Sequence, residues 1–158
     1  MARRYGRCAK GQRLRAPVPY GHWKTTTFLA GLCHDGLIAP LVLDGPIDGE
    51  SFRAWVEQFL APALRPKQIV VMDNLSSHKV DGVHQAIEAV GARVLYLPPY
   101  SPDLNPIEQL FAKLKAMLRK AATRTVDALW AAVGDILRTL QPSECHNYLA
   151  NSGYLHSI

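Results

Sequence analysis

With 158 residues, 48% of them apolar and 20% charged, the chain is long enough to bury about two-thirds of its unfolded surface in one domain. Its apolar runs stop short of the roughly 20 residues that span a bilayer, so no membrane partner is expected, and the basic start Met1-Ala2-Arg3-Arg4 lacks the apolar stretch of a signal peptide. Cys8, Cys33 and Cys145 are odd in number and show no C-x-x-C spacing, which reads as free thiols in a reducing cytoplasm.

The net charge of +5 is unevenly placed. Arg3, Arg4, Arg7, Lys10, Arg13, Arg15 and Lys24 supply 7 of the 18 basic residues, and no acid precedes Asp35. From residue 25 onward 11 bases face 13 acids. The pattern is a basic arm, 1–23, on a near-neutral body, 24–158. Such an arm suits DNA, because each neutralised phosphate releases counterions. Tyr5, Tyr20 and Trp23 lie among its cations and can stack on bases. A solvated terminus is the plain alternative, and composition does not separate the two.

In chain order, Lys24 to Leu32 is β-rich, His34-Asp35-Gly36 is a turn, and Leu37 to Leu43 is a second apolar run. Asp-Gly between two such runs predicts a hairpin. Asp44-Gly45-Pro46 closes it. Asp48 then caps a helix whose apolar positions Phe52, Trp55, Val56, Phe59 and Leu60 recur at helical spacing, with Pro62 and Pro66 ending it. Gln68 to Met72 reads as a strand buried on both faces. Residues 79–90 read as a helix with Val83, Ala86, Ile87 and Val90 inward and Gly91 as its left-handed C-cap. Ala92 to Leu97 is a further strand, and strand–helix–strand implies a right-handed parallel crossover.

Residues 98–106 carry four prolines and form a loop. Pro106 to Lys120 is a helix with Ile107, Leu110, Phe111, Leu114 and Leu118 on one stripe. Thr125 caps another, with Leu129, Ala132, Val133, Ile136, Leu137 and Leu140 as its core face, and Pro142 to Tyr148 adds a short last helix. The order β-β-α-β-α-β-α-α describes a single α/β domain.

Two acids stand at the edges of regular structure. Asp73 follows the buried strand, at the carboxyl end where open α/β sheets present functional groups; alternatively Asp73, Asn74, Ser76 or Ser77 merely caps the next helix. Glu108 fits a structural role too: with Asn105 as N-cap and Pro106 at N1, it is the N3 member of a capping box. That role is compatible with function, since the helix dipole favours an ionised carboxylate. Lys115 and Arg119 follow on the same face, as groove-lining cations or a solvated surface. Hard cations such as Mg²⁺ bind through carboxylates, phosphate oxygens and water, and a pair of them can clamp an in-line phosphoryl displacement.

The segments Val71-Met72-Asp73-Asn74-Leu75-Ser76-Ser77-His78 and Leu97-Pro98-Pro99-Tyr100-Ser101-Pro102-Asp103-Leu104-Asn105-Pro106-Ile107-Glu108, with 34 residues between the two acids, resemble the mariner-type superfamily of DD-E transposases in its bacterial insertion-sequence branch. Gly21-His22-Trp23-Lys24-Thr25-Thr26-Thr27-Phe28 agrees as well. The resemblance implies a ribonuclease-H-like mixed sheet flanked by helices, two Mg²⁺ or Mn²⁺ ions, and partners that are transposon ends, target DNA and a second copy in a homodimer. It implies that Asp73 and Glu108 are catalytic metal ligands and that Asn74 and His78 shape the site, a capping role being the alternative for His78. The product would act in the bacterial cytoplasm, at the nucleoid.

The chain also departs from that pattern. The family's first acid lies on a strand upstream of the basic segment, and Asp35, Asp44 and Asp48 are better explained by turn and cap. The first central strand and its Asp are therefore expected to be missing or replaced, with strand exchange between copies or residues 12–18 filling the gap. A non-catalytic DNA-binding or regulatory transposase fragment is the alternative function, and another ribonuclease-H-like nuclease such as a resolvase fits the Pro-rich loop less well.

Overall fold

In the computed structural model, which describes residues 6–15 and 25–154, the Asp-Gly turn joins β1 (Thr26–Cys33) to β2 (Gly36–Asp44). The strands pair antiparallel from Thr26↔Asp44 to Cys33↔Gly36. Asp48 then accepts the Ser51 N–H at 2.8 Å and opens α1 (Gly49–Trp55). The helix does not continue as a regular α-helix. It widens into a π-helical turn, Val56–Leu60, in which the Ala61 N–H reaches back five residues to the Val56 carbonyl, and ends in a single turn, α2 (Ala61–Ala63).

This wider turn corrects two expectations. Each residue of a π turn advances less around the axis than in an α-helix, so Leu60 comes round to the buried stripe and Phe59 is left 43% exposed. Pro62 does not stop the helix either. It sits inside α2, where the irregular ladder tolerates its missing N–H.

β3 (Ile69–Met72) and β4 (Arg93–Tyr96) pair in parallel, Ile69 with Arg93 through Met72 with Tyr96. The ladder is extended at both ends, by Arg93 N–H to Gln68 O at 2.9 Å and Leu97 N–H to Met72 O at 2.8 Å. The crossover helix, α3 (Val83–Ala89), is shorter than the expected 79–90. A 3₁₀ turn, Ser76–Lys79, comes first. Gly82, at φ 99°, takes a left-handed conformation that glycine adopts freely, and its N–H is received by the Gln85 side chain at 2.9 Å. Gly91 at φ 77° ends α3 as expected.

The core packs Phe52, Trp55, Val56 and Leu60 against Met72, Val83, Ile87 and Ala92. Leu29, Ile38, Val70 and Val94 close around it, and Trp55 Nε1 donates to the Ala39 carbonyl at 2.9 Å, tying α1 to the hairpin. β3 and β4 bury one face only. Ile69 is 62% and Leu95 51% exposed, because the period of two sends them opposite to Val70 and Val94. This corrects the reading of β3 as buried on both faces.

Strand topology is mixed in sense, one ladder antiparallel and one parallel, but it forms two two-stranded sheets. Among the described residues no strand bridges the hairpin and β3. Gln12–Arg15 form no strand, Gln12 N–H closing a turn on Ala9 O at 3.0 Å, so that part of the 12–18 replacement is overturned. Residues 16–18 lie outside the described residues.

The described residues divide into two compact units, 25–110 with 140–154, and 6–15 with 111–139. In the first, α6 (Pro142–Asn151), longer than expected, buries Cys145 and receives the Gln109 side-chain N–H on the Tyr148 carbonyl at 3.2 Å. In the second, the body of α4 (Ile107–Ala121) buries Leu114 and Leu118, and α5 (Val126–Arg138) buries Val133 behind its Thr125 cap.

The π turn makes a sharp stability prediction. Phe52→Ala costs about 3–5 kcal/mol and Phe59→Ala, on the same side of an ideal helix, costs within about 0.5 kcal/mol of nothing, both read by urea unfolding. The Asp48 carboxyl is held below the usual carboxylate range by the Ser51 backbone N–H first and the Ser51 hydroxyl second. A depressed folded value stabilises above the unfolded one, so this contribution is full above about pH 4 and is lost as pH falls through the folded value. Asp48→Ala therefore flattens the acid limb of the stability curve.

Candidate functional site

Asp73 stands one residue beyond β3, and none of Asp73, Asn74, Ser76 and Ser77 caps a helix: the 3₁₀ turn has no side-chain cap, and α3 begins only after Gly82. What holds Asp73 is His78. The His78 Nδ1 lies 2.5 Å from Asp73 Oδ1, and the carboxylate is partly shielded from solvent. The imidazole is stacked on Phe52, with ring centres 4.2 Å apart and planes inclined by 23°. The Tyr96 hydroxyl donates to the His78 carbonyl at 3.0 Å, and Lys79 Nζ lies 5.5 Å from the centre of the Tyr96 ring. His78 is therefore a clip between the core and the acid, not a helix cap.

The clip leaves hydrogen-bonding capacity unused. Asp73 Oδ1 and His78 Nδ1 are buried against one another, and the neighbouring Asn74 Oδ1 is buried with no hydrogen-bond partner among the described residues. Such an atom costs about 1–3 kcal/mol if left unsatisfied.

The carboxyl ends of β3 and β4 and the start of α4 border an open cavity of about 380 Å³, lined by Asp73–Leu75, Leu97–Pro102, Asn105 and Glu108. Glu108 reaches it from the first turn of α4, its N–H on the Asn105 carbonyl at 3.1 Å, where the helix N-terminus favours negative charge. The loop between is pinned along its length. Leu97 is buried, Pro102–Leu104 makes a 3₁₀ turn, and the Tyr154 hydroxyl donates to the Leu104 carbonyl at 2.7 Å. At its tip Tyr100 is held at φ 58°, a left-handed backbone that costs a non-glycine residue about 1–2 kcal/mol.

Asp73, Asn74 and Glu108 are thus brought together, with His78 behind the first of them. Their donor atoms are oxygens from two carboxylates and an amide, the set a hard divalent cation takes. Among the described residues no group of three His, Cys, Asp or Glu side chains is assembled. Asp35 sits in the hairpin turn, Asp44 at the end of β2 and Asp48 at the N-cap of α1, as expected. Arg7, Lys10, Arg13 and Arg15 are exposed, as are Lys115 and Arg119 on α4. Arg3, Arg4 and Lys24 lie outside the described residues. Sequence reasoning missed two residues here. Phe52 carried only a core signal, and Tyr100 only its place within a motif.

A family model for DDE superfamily endonucleases matches residues 1–130. Comparison with curated proteins gives no match. Among solved structures, the Mos1 strand transfer complex superposes with a TM-score of 0.78 at 19% identity, over 95% of this chain and 46% of that one. The Mos1 mariner paired-end complex with Mn gives 0.74 at 18% identity, over 95% and 47%. The isolated catalytic domain of Mos1 mariner transposase gives 0.65 at 16% identity, over 82% and 74%. These are likenesses of fold, and the chain spans about half the length of the Mos1 chains in the two complexes.

The close packing behind the clip is testable. A Cβ on Gly49 would lie 2.3 Å from Val80 Cγ2 and 3.9 Å from the Ser77 backbone. Gly49→Ala pushes on the segment that carries His78, costs about 1–3 kcal/mol, and shifts the His78 ring resonances in NMR spectra, whereas Ser51→Gly at the exposed side of the same turn leaves those resonances in place.

Proposed function

The chain belongs to the DDE superfamily of endonucleases, and on that premise we propose that it is the catalytic domain of a bacterial insertion-sequence transposase, working on DNA with Mg²⁺ or Mn²⁺ held by Asp73 and Glu108. One observation carries the reading: the acid after β3 and the acid opening α4 line a single cavity. The likeness to a Mos1 paired-end complex containing Mn supports the metal and the DNA.

A divalent ion held by Asp73 and Glu108 would supply Lewis-acid polarisation of the phosphodiester and would offset charge on the displaced oxygen. The rest falls to the chain's own residues. His78 and the Phe52 ring fix the Asp73 carboxylate in one orientation. The first turn of α4 presents Glu108 to the cavity at a helix N-terminus, whose free N–H groups favour negative charge. Asn74 offers its buried side-chain oxygen beside Asp73. Leu97 and the adjoining prolines restrict solvent on the third side. Water attacks the phosphate at the transposon end and the strand's 3′-oxygen leaves; that 3′-hydroxyl then attacks a target phosphate and a new phosphodiester replaces the target's own.

The exposed cations Arg7, Lys10, Arg13, Arg15, Lys115 and Arg119, together with Arg3, Arg4 and Lys24, are assigned to DNA phosphates. A homodimer would hold the two ends, in the bacterial cytoplasm at the nucleoid. The assembly of two acids, where two-ion chemistry commonly uses three, favours a second reading, a DNA-binding regulatory fragment without nuclease activity.

Metal binding separates the two without requiring turnover. Asp73→Ala and Glu108→Ala each weaken Mn²⁺ binding by at least about 10-fold in calorimetric titration, and affinities indistinguishable from wild type overturn the site. Replacing Arg7, Lys10, Arg13 and Arg15 by Ala weakens DNA binding across sequences. It also lowers the slope of log affinity against log salt by about 3 to 4.

A further inference from the structure

Tyr100 differs from the tyrosines that the fold uses. Tyr96 and Tyr154 are partly buried and give their hydroxyl protons to backbone carbonyls of His78 and Leu104. Tyr100 is 102% exposed, the most exposed large apolar residue described. Its ring contributes nothing to the core, and its backbone is held in the left-handed region. A residue both strained and unpacked is a poor choice for a loop that only needs to turn; Gly or Asn would fit the backbone at lower cost.

Prolines and hydrogen bonds flank the residue that presents this ring. Pro99 precedes Tyr100, Pro102 follows two residues later, and the Ser101 hydroxyl donates to the Pro99 carbonyl at 3.4 Å. Leu97 is bonded into the β3–β4 ladder on one side and Tyr154 holds Leu104 on the other. The ring is therefore offered on a fixed base, with little ordering entropy left to lose when a ligand covers it.

The lining of the cavity beside it combines two chemistries. Asp73 and Glu108 supply the oxygens that hold a cation and, through it, a phosphate; Leu75, 53% exposed, Pro98, Pro99 and Tyr100 supply apolar surface. A nucleotide has the same division, an anionic phosphate joined to a flat base. In a duplex both faces of each base are already stacked, so a free face belongs to an unpaired or terminal base.

We infer that Tyr100 is a stacking platform for an unpaired nucleobase next to the phosphate held at Asp73 and Glu108. The inference rests on the phosphodiester reading of the cavity and adds a ligand to it: single-stranded or flipped-out DNA at the point of reaction.

The test uses the full chain, Ca²⁺ and a short single-stranded oligonucleotide carrying 2-aminopurine. Wild type quenches the fluorophore in a Ca²⁺-dependent way, and Tyr100→Phe, which keeps the ring, quenches equally. Tyr100→Ala and Tyr100→Gly lose the quench and bind roughly 10-fold more weakly. Tyr100→Gly also relieves the left-handed backbone, so its melting temperature stays at or above wild type and the loss is not unfolding. A duplex with the 2-aminopurine paired internally shows no dependence on Tyr100. Wild-type quenching by Tyr100→Gly, or equal loss in Tyr100→Phe, overturns the platform. Mn²⁺ affinity measured on the same proteins is unchanged by Tyr100 substitutions and lowered by Asp73→Ala. Indifference to Asp73→Ala overturns the cation site itself, whatever the fluorescence shows.

Discussion

The parallel pairing of β3 with β4 is the constraint on which the candidate site depends. Two strands paired in parallel end on the same side, and the chain must cross over to return. The residue after Met72 and the residues after Tyr96 therefore emerge together, and Leu97 N–H on Met72 O carries the pairing one step beyond the strands. Asp73 and the Pro-rich loop are neighbours for that reason. The loop needs only to turn back into α4 for Glu108 to reach the same cavity.

Behind the ladder, α1 does more than fill the core. Its first turn packs so closely on the segment after β3 that a Cβ at position 49 would press on the Val80 side chain. One turn on, Phe52 supports the imidazole that meets Asp73. The π turn keeps Leu60 buried as the helix continues and releases Phe59 to the surface. Core packing and carboxylate orientation are thus one arrangement, and a change in α1 reaches the acid without touching it.

The loop from Leu97 to Pro106 shows the opposite economy. Prolines, a 3₁₀ turn and the Tyr154 hydroxyl fix it in place, and within that frame one residue is left strained and uncovered. Strain persists only where the surroundings over-determine it, and here they do so beside a cavity lined with carboxylates.

Element order, the hairpin at Asp35-Gly36, the caps at Asp48, Thr125 and Gly91, and the two acids with their spacing are all legible along the chain. These are local signals: turn chemistry, hydrophobic period and capping act within a few residues and are legible without tertiary contacts. The mariner-type resemblance lay in the same short segments, and the match to the DDE endonuclease family agrees with it. Tertiary structure decided what local signals do not encode. Periodicity placed Phe59 inside, but the packing of Leu60 and the π turn put it out. The motif around Asp73 allowed a capping serine or histidine, but the imidazole is claimed from behind by Phe52, a residue 26 positions away in sequence whose own pattern said only core. Tyr100 was one member of a run of prolines and polar residues until its backbone angle and full exposure set it apart. In each case the deciding contact joins segments remote along the chain, and its geometry exists only once the fold has brought them together.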